Sequence, residues 1–319
     1  MSAFYDKFPK DSNGFVDLSG IIDVEDKVFV CKSCIIDDEK YWYKGNFLSY
    51  FKSLGKNTLA GENYQYISEL VVNEVVKEFG FGTIDYVLAR TDKNYGVISK
   101  DFSYKYSGAE LLKEVVKKSK HLRTTEGILY PHSLSYYKKC CDNRIISSKH
   151  FNDLQLALLL QVGLAQKDMH DANMAIFFGE KVEDDKIILF DHSLSLVSDQ
   201  VPMVRSRKEQ FNYLRRKMSE LSYVDALFGV DFFEGRQMDI YDAVQNSPIL
   251  SSQGISEYLC KMNDCLSGDK IFVDVNEKIE DVYHLPVPKD FMDRLKYVMQ
   301  FSTKEMEKRF SLREASLDM

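Results

Sequence analysis

Three side chains with oxygen donors frame the chemistry this chain could do. Asp168 and Asn173 stand five positions apart in Gln166-Lys167-Asp168-Met169-His170-Asp171-Ala172-Asn173, and Asp191 follows in Leu189-Phe190-Asp191-His192. A carboxylate to orient a hydroxyl, an amide for one magnesium and a second carboxylate for the metal bridging the phosphates is the order that phosphoryl transfer uses. The plainer alternative is that Asp168 and Asn173 make turn hydrogen bonds ahead of a strand. A rival chemistry is also written here, because His170-Asp171 and Asp191-His192 are ligand types of a metal-dependent phosphohydrolase. Such centres usually draw ligands from several helices. Here one pair sits on a loop, the other follows a strand, and His121, His132, His150 and His284 are scattered.

Phosphate chemistry also needs a cation. Lys44 closes the strand-like run Tyr41-Trp42-Tyr43-Lys44, where it could point inward at a nucleotide or snorkel to solvent. Its acidic partner would lie on the following helix, where Glu69 and Glu74 compete. No G-x-G-x-x-G loop appears, so phosphate-capping amides are sought between Gly20 and Lys32. Downstream of Asp191, the basic stretch Arg205, Arg207, Lys208, Arg215, Arg216 and Lys217 reads first as a solvated helix face. Its second reading is a site for an acidic or phosphorylated segment. Ser193, Ser195, Ser198 and Ser206 lie where an activation segment would run.

These residues need elements to position them. Residues 28–31 and 41–44 are aromatic and β-branched, hence strand-like, and Asp37-Asp38-Glu39 between them is a hairpin turn. Ile67, Val71, Val75 and Phe79 recur at four-residue spacing, which predicts a helix over 63–79 that stops at Gly80 and Gly82. Strands are predicted over 84–89 and 95–99, with a turn at 92–94. Helices are predicted over 109–120, 149–165, 208–227, 255–266 and 291–309. The second of these is apolar nearly all round and should be deeply buried. Strands over 174–178 and 186–190, joined by a charged turn, form a hairpin that returns Asp191 to the side of Asn173.

The fold class is therefore α+β: a small β-rich lobe with one helix, residues 1–102, then a larger helical lobe, residues 103–319. Hydrophobic residues make up 45% of the 319 and charged residues 29%, which supports a packed core rather than disorder. The net charge of −7 gives no overall pull toward nucleic acid or anionic lipid. No run approaches the ~20 apolar residues of a membrane-spanning helix. Met1 to Lys7 lacks the cationic start and apolar stretch of a cleavable signal. Cys31-Lys32-Ser33-Cys34 has zinc spacing but no second pair, so Cys31, Cys34, Cys140, Cys141, Cys260 and Cys265 read as reduced thiols of a cytoplasmic protein.

The pattern Asp168-x-His170-x-x-Asn173 resembles the catalytic loop of HipA-like serine/threonine kinases, and Phe190-Asp191-His192-Ser193 is similar to their metal-binding segment. Ordinary protein kinases carry a lysine two places after the aspartate, where this chain has His170. Tyr43-Lys44, Ser68-Glu69, Ile84-Asp85-Tyr86 and Gly96-Val97-Ile98-Ser99-Lys100-Asp101-Phe102 resemble a compact branch of that family, of the cell-translocating kinase type. The likeness runs from about Tyr41 to Leu196.

It implies a two-lobed kinase-like fold that uses ATP and Mg²⁺ to phosphorylate serine or threonine in a protein, itself included. On it, Lys44 holds the α/β phosphates and Glu69 fixes Lys44. Asp168, His170 and Asn173 form the catalytic loop, and Asn173 with Asp191 holds metal. Ser99, Lys100, Asp101 and Phe102 form a hinge that contacts adenine. An antitoxin or host protein is a further partner the family suggests, and export as an effector a further destination. A catalytically silent kinase fold that serves as a binding module remains the alternative, alongside the phosphohydrolase.

Overall fold

The computed structural model describes residues 8–12, 15–21, 31–45, 65–91, 95–119, 122, 133–166, 169–192, 195, 240–247, 249–250, 252–266, 269–283 and 289–317. The predicted helix over 208–227, the basic stretch from Arg205 to Lys217, and Ser193, Ser198 and Ser206 lie outside them. So does most of the segment sought for phosphate-capping amides.

The first sheet contains β1 (Val16–Asp17), β2 (Cys31–Ile36), β3 (Glu39–Gly45), β5 (Tyr86–Arg90) and β6 (Tyr95–Lys100), in the order β1-β5-β6-β3-β2. Only the β1–β5 pairing is parallel. Asp37 and Asp38 join β2 to β3 with φ of 51° and 62°, the left-handed pair that a two-residue hairpin demands. Of the strand predicted over 28–31, Cys31 belongs to β2 and residues 28–30 lie outside the described ones. The two-residue period of β3 buries Tyr41 and Tyr43 among Phe8, Leu18, Val87 and Ile98. Trp42 and Lys44 therefore face the opposite side of the sheet. Gly96 of β6 lies against Lys44, where an added Cβ would stand 2.0 Å from the Lys44 carbonyl oxygen. Only glycine permits that approach.

Helix α1 (Gln65–Glu78) ends as predicted at Gly80, which takes a φ of 86°. The Gly80 amide donates to the Lys77 carbonyl (2.8 Å) and the Phe81 amide to that of Val76 (3.3 Å), the paired bonds of a glycine-terminated helix. Gly82 is not part of that stop. It begins β4 (Gly82–Thr83), which pairs in parallel with β9 (Lys186–Leu189) so closely that a Cβ would meet Ile188 Cγ1 at 2.8 Å.

That pairing belongs to a second sheet, ordered β4-β9-β8-β7, with β7 at Glu110–Leu111 and β8 at Met174–Phe177. The predicted hairpin is its centre, and residues 82–83 reach it from the first lobe. Residues 110–111 were predicted to be helical. They pair instead with Ile176 and Ala175, and α2 (Leu112–Lys118) starts only after them.

The remaining α-helices among the described residues are α3 (Leu134–Asp142), α4 (Ser148–Gly163), α5 (Ile240–Asn246), α6 (Ser252–Leu266), α7 (Lys270–Tyr283) and α8 (Lys289–Leu317). Helices α3, α5 and α7 have no counterpart in the sequence reading. Helix α4 buries Leu154, Ala157, Leu158, Leu159 and Leu160 as expected, while Leu156 stays half-buried. Its N-terminus is capped by Ser147, whose hydroxyl accepts the His150 amide at 3.1 Å. The Ser147 amide donates to His150 Nδ1 (3.3 Å), so Nε2 carries the proton and donates to the Phe177 carbonyl (2.8 Å). One buried histidine thus ties the start of α4 to the end of β8.

The main core runs from Val71 and Val75 of α1 through α4 to Leu295 and Val298 of α8, so both lobes share it. Lys261 of α6 donates to the Phe79 carbonyl at 3.0 Å, and Lys278 of α7 pairs with Glu78. Among the described residues, no helix is long and apolar enough to cross a membrane.

Candidate functional site

Lys44 is the charge at the centre of the lobe junction. Its Nζ lies 3.1 Å from Glu69 Oε1 and 2.9 Å from Asp191 Oδ1, with the Tyr86 ring centroid 6.0 Å away. Glu69 is 1% exposed, Lys44 15% and Asp191 28%, so the cluster opens to solvent on the Asp191 side. Burial alone would depress the Lys44 ammonium. Asp191 and then Glu69 outweigh it and hold the group well above the ordinary lysine value, so Lys44 is charged at all physiological pH. Burial pushes the Glu69 carboxyl up, and Lys44 opposes it. Glu74, the competing acid, pairs with Lys77 of its own helix instead.

The second sheet delivers Asp191. Met174 faces Leu189 across the hairpin, and the Phe190 amide donates to the Asn173 carbonyl at 3.3 Å. Asn173 and Asp191 are thereby brought to the same end of the hairpin, although they are distant in sequence. Asn173 closes a 3-10 turn, Asp171–Asn173, and is 8% exposed. His170 begins that turn: its Nδ1 accepts the Ala172 amide at 3.1 Å. In this position the imidazole shapes the loop through which Asn173 reaches the hairpin. Asp168 lies outside the described residues, between Gln166 and Met169.

Asp191 adopts a φ of 65°, unfavourable for a residue with a Cβ. Its amide donates to the Tyr86 hydroxyl (3.2 Å), and its carbonyl accepts from Gln166 Nε2 (2.6 Å). The next residue is held likewise. The His192 amide donates to Glu69 Oε2 (2.8 Å), and its carbonyl accepts from the Ser68 hydroxyl (2.8 Å). Burial, with Lys44 adding to it, lowers the His192 imidazole to about 3, so the ring is neutral. Ser68, Tyr86 and Gln166 had no assigned role in the sequence reading. Each acts through a contact from a distant segment, which no local motif announces.

The residues expected to contact adenine lie at and just after the end of β6. Ser99 and Lys100 are buried at the end of β6. The Asp101 amide donates to the Lys40 carbonyl (3.1 Å). The Asp101 carboxylate accepts from Trp42 Nε1 (3.0 Å) and from the Ser103 amide (3.1 Å). Phe102 stacks on Phe190, with centroids 5.6 Å apart and planes 12° from parallel. That pair links the turn after β6 to the residue that precedes Asp191.

Among the described residues no three His, Cys, Asp or Glu side chains converge as metal ligands, so His170, Asp171, Asp191 and His192 do not build the hydrolase cluster. Cys34 and Cys140 are free thiols. Asp191 and Asn173 are hard oxygen donors. They fit magnesium, which binds through one or two carboxylates and takes its other oxygens from phosphate and water.

The fold has a solved counterpart. CtkA, a proinflammatory kinase of Helicobacter pylori, matches 96% of this chain and 100% of its own with a TM-score of 0.58 at 13% identity. A likeness at that identity concerns the fold alone. This chain therefore has a two-lobed α+β protein-kinase-like fold, with a curled β-sheet lobe and a helical lobe. WaaP in complex with acyl carrier protein covers 82% of this chain and 88% of its own at 10% identity, with a TM-score of 0.34 that carries no argument. No protein-family model matches the chain, and no curated protein sequence does.

Proposed function

We propose that this chain is an ATP- and Mg²⁺-dependent serine/threonine protein kinase of the HipA-like type, phosphorylating itself and a protein partner. The observation that carries the reading is the Lys44 ammonium held between Glu69 (3.1 Å) and Asp191 (2.9 Å) on a kinase-like fold. A buried lysine fixed by a helix carboxylate is a rigid point charge for the phosphates of a nucleotide. Asp191 and Asn173 would hold magnesium, which when bound neutralises charge on the phosphate oxygens.

The step itself is a displacement. The hydroxyl oxygen of a serine or threonine bonds to the γ-phosphorus as the bond from that phosphorus to the β–γ bridging oxygen breaks. ADP leaves, and Asp168 receives the hydroxyl proton. No covalent enzyme intermediate is needed, so the rate rests on positioning and on charge complementarity at the phosphates. Base recognition falls to the Phe102–Phe190 pair and to backbone groups near Ser99 and Lys100.

Incubation with γ-labelled ATP and Mg²⁺ tests this. Label on the protein that Asp168→Ala removes is the expected result. ATP binding without transfer would make the chain a binding module. Phosphate release from a phosphomonoester without protein labelling would make it a hydrolase.

A further inference from the structure

We propose that Ser68, Tyr86 and Gln166 are positioning residues that hold the Asp191-His192 backbone in its metal-facing shape, so that the phosphate site is assembled before nucleotide arrives. The proposal rests on the kinase reading above. All four backbone polar groups of the dipeptide are bonded to side chains: to Tyr86 and Gln166 at Asp191, and to Glu69 and Ser68 at His192. These side chains come from separate places in the fold, namely β5, the loop after α4, and α1. Ser68, Glu69, Tyr86 and His192 are all at most 4% exposed.

Such convergence has a physical purpose at Asp191. A left-handed φ of 65° persists in a non-glycine residue only where its surroundings over-determine it. Rotating the peptide out of this shape would leave a buried hydroxyl, a buried amide and a buried carboxylate without their partners. Ser68 extends the hold one turn further, because its hydroxyl also reaches the Ser195 carbonyl (3.3 Å) and the Ser195 amide donates to the His192 carbonyl (3.0 Å).

Helix α1, which supplies Ser68 and Glu69, is itself tied at its far end by Lys261 and Lys278. Swinging Glu69 away from Lys44 would break contacts at both ends of that helix. A site built this way needs no partner and no prior modification to bring Glu69 to Lys44.

The test compares wild type with Tyr86→Phe and Ser68→Ala, which remove one hydroxyl each from different elements. The first readout is amide hydrogen exchange at Asp191 and His192 in the protein without nucleotide. Strong protection is expected in wild type, with exchange about tenfold faster in each variant, the scale of one lost hydrogen bond. The second readout is the Mg²⁺ dependence of ATP-driven labelling, with half-saturation rising about fivefold or more alongside the small fall in melting temperature that one lost hydrogen bond brings. A purely structural role would lower the melting temperature and leave the Mg²⁺ requirement alone.

Wild-type exchange rates in both variants, or an unchanged Mg²⁺ requirement in an active enzyme, would overturn the proposal. Wild type that transfers no phosphate sinks the kinase reading, while the exchange readout still judges the hold on Asp191. If one variant does not fold, the other decides.

Discussion

Two clusters of lysine, carboxylate and aromatic ring sit on neighbouring strands of the first sheet, and they differ in what surrounds them. At the lobe junction Lys44 of β3 meets Glu69, Asp191 and the Tyr86 ring. Where β6 ends, Lys100 meets Glu39 at 2.6 Å and lies 3.4 Å from the centroid of Tyr104, while Lys40 meets Asp101 at 3.6 Å beside Trp42. The residue types are nearly the same. Glu69 is 1% exposed, however, whereas Glu39 is 36% and Lys40 52% exposed. Removing the lysine from the first cluster strands Glu69, a buried carboxylate, whereas removing Lys100 from the second leaves Glu39, which water can solvate. Burial, rather than the list of contacts, separates a site that can organise phosphates from a pair that steadies a turn.

The sharpest way to break this comparison is to delete one charge from each cluster. Lys44→Met should lower labelled-phosphate transfer by at least about 10²–10³-fold, the scale of losing a preorganised electrostatic group. It should also cost about 3–5 kcal/mol in denaturant unfolding, because Glu69 loses its cation. Lys100→Met, which leaves the half-exposed Glu39, should change transfer by less than about threefold and stability by less than about 1 kcal/mol. Equal effects from the two substitutions would dissolve the distinction.

A smaller effect comes from His150, which fastens α4 to β8. Burial lowers its pKa despite the Phe177 carbonyl, Asp185 and Asp153, with Lys149 acting in the same direction as burial. The unfolded chain therefore takes up this proton more readily than the folded one. Its contribution to stability is complete above the unfolded value of about 6.5 and is lost as pH falls below it, by at most about 1.4 kcal/mol per pH unit. Thermal unfolding between pH 7.5 and 5.5 should thus be steeper in wild type than in His150→Gln. Identical slopes would show that His150 does not carry this linkage.

Much of the architecture was legible because period and chemistry coincided. The strand that carries Lys44 followed from its aromatic and β-branched residues, although where Lys44 points stayed open, and the 174–190 hairpin followed from two apolar runs around a charged turn. Glu69 could not be separated from Glu74 by spacing, since both lie on one helix. The sheet decides between them by fixing where Lys44 points. Strands β1, β4 and β7 are two residues long, too short for any period to show. The partners of residues 82–83 and 110–111 come from far along the chain. Helix α7 was missed although Ile271, Phe272 and Val275 mark a buried face at helical spacing, and that signal was there to be read. The roles of Ser68, Tyr86 and Gln166 were not there to be read, because each depends on where Asp191 arrives.

The central claim is that Asp191 and Lys44 together form a nucleotide-phosphate site that works with magnesium. Equilibrium titration of the protein with ATP, with and without Mg²⁺, tests it most directly. The account predicts binding that Mg²⁺ tightens, with the tightening lost in Asp191→Asn while metal-free binding is kept. Failure of wild type to bind ATP, or a Mg²⁺ effect that survives in Asp191→Asn, would contradict it.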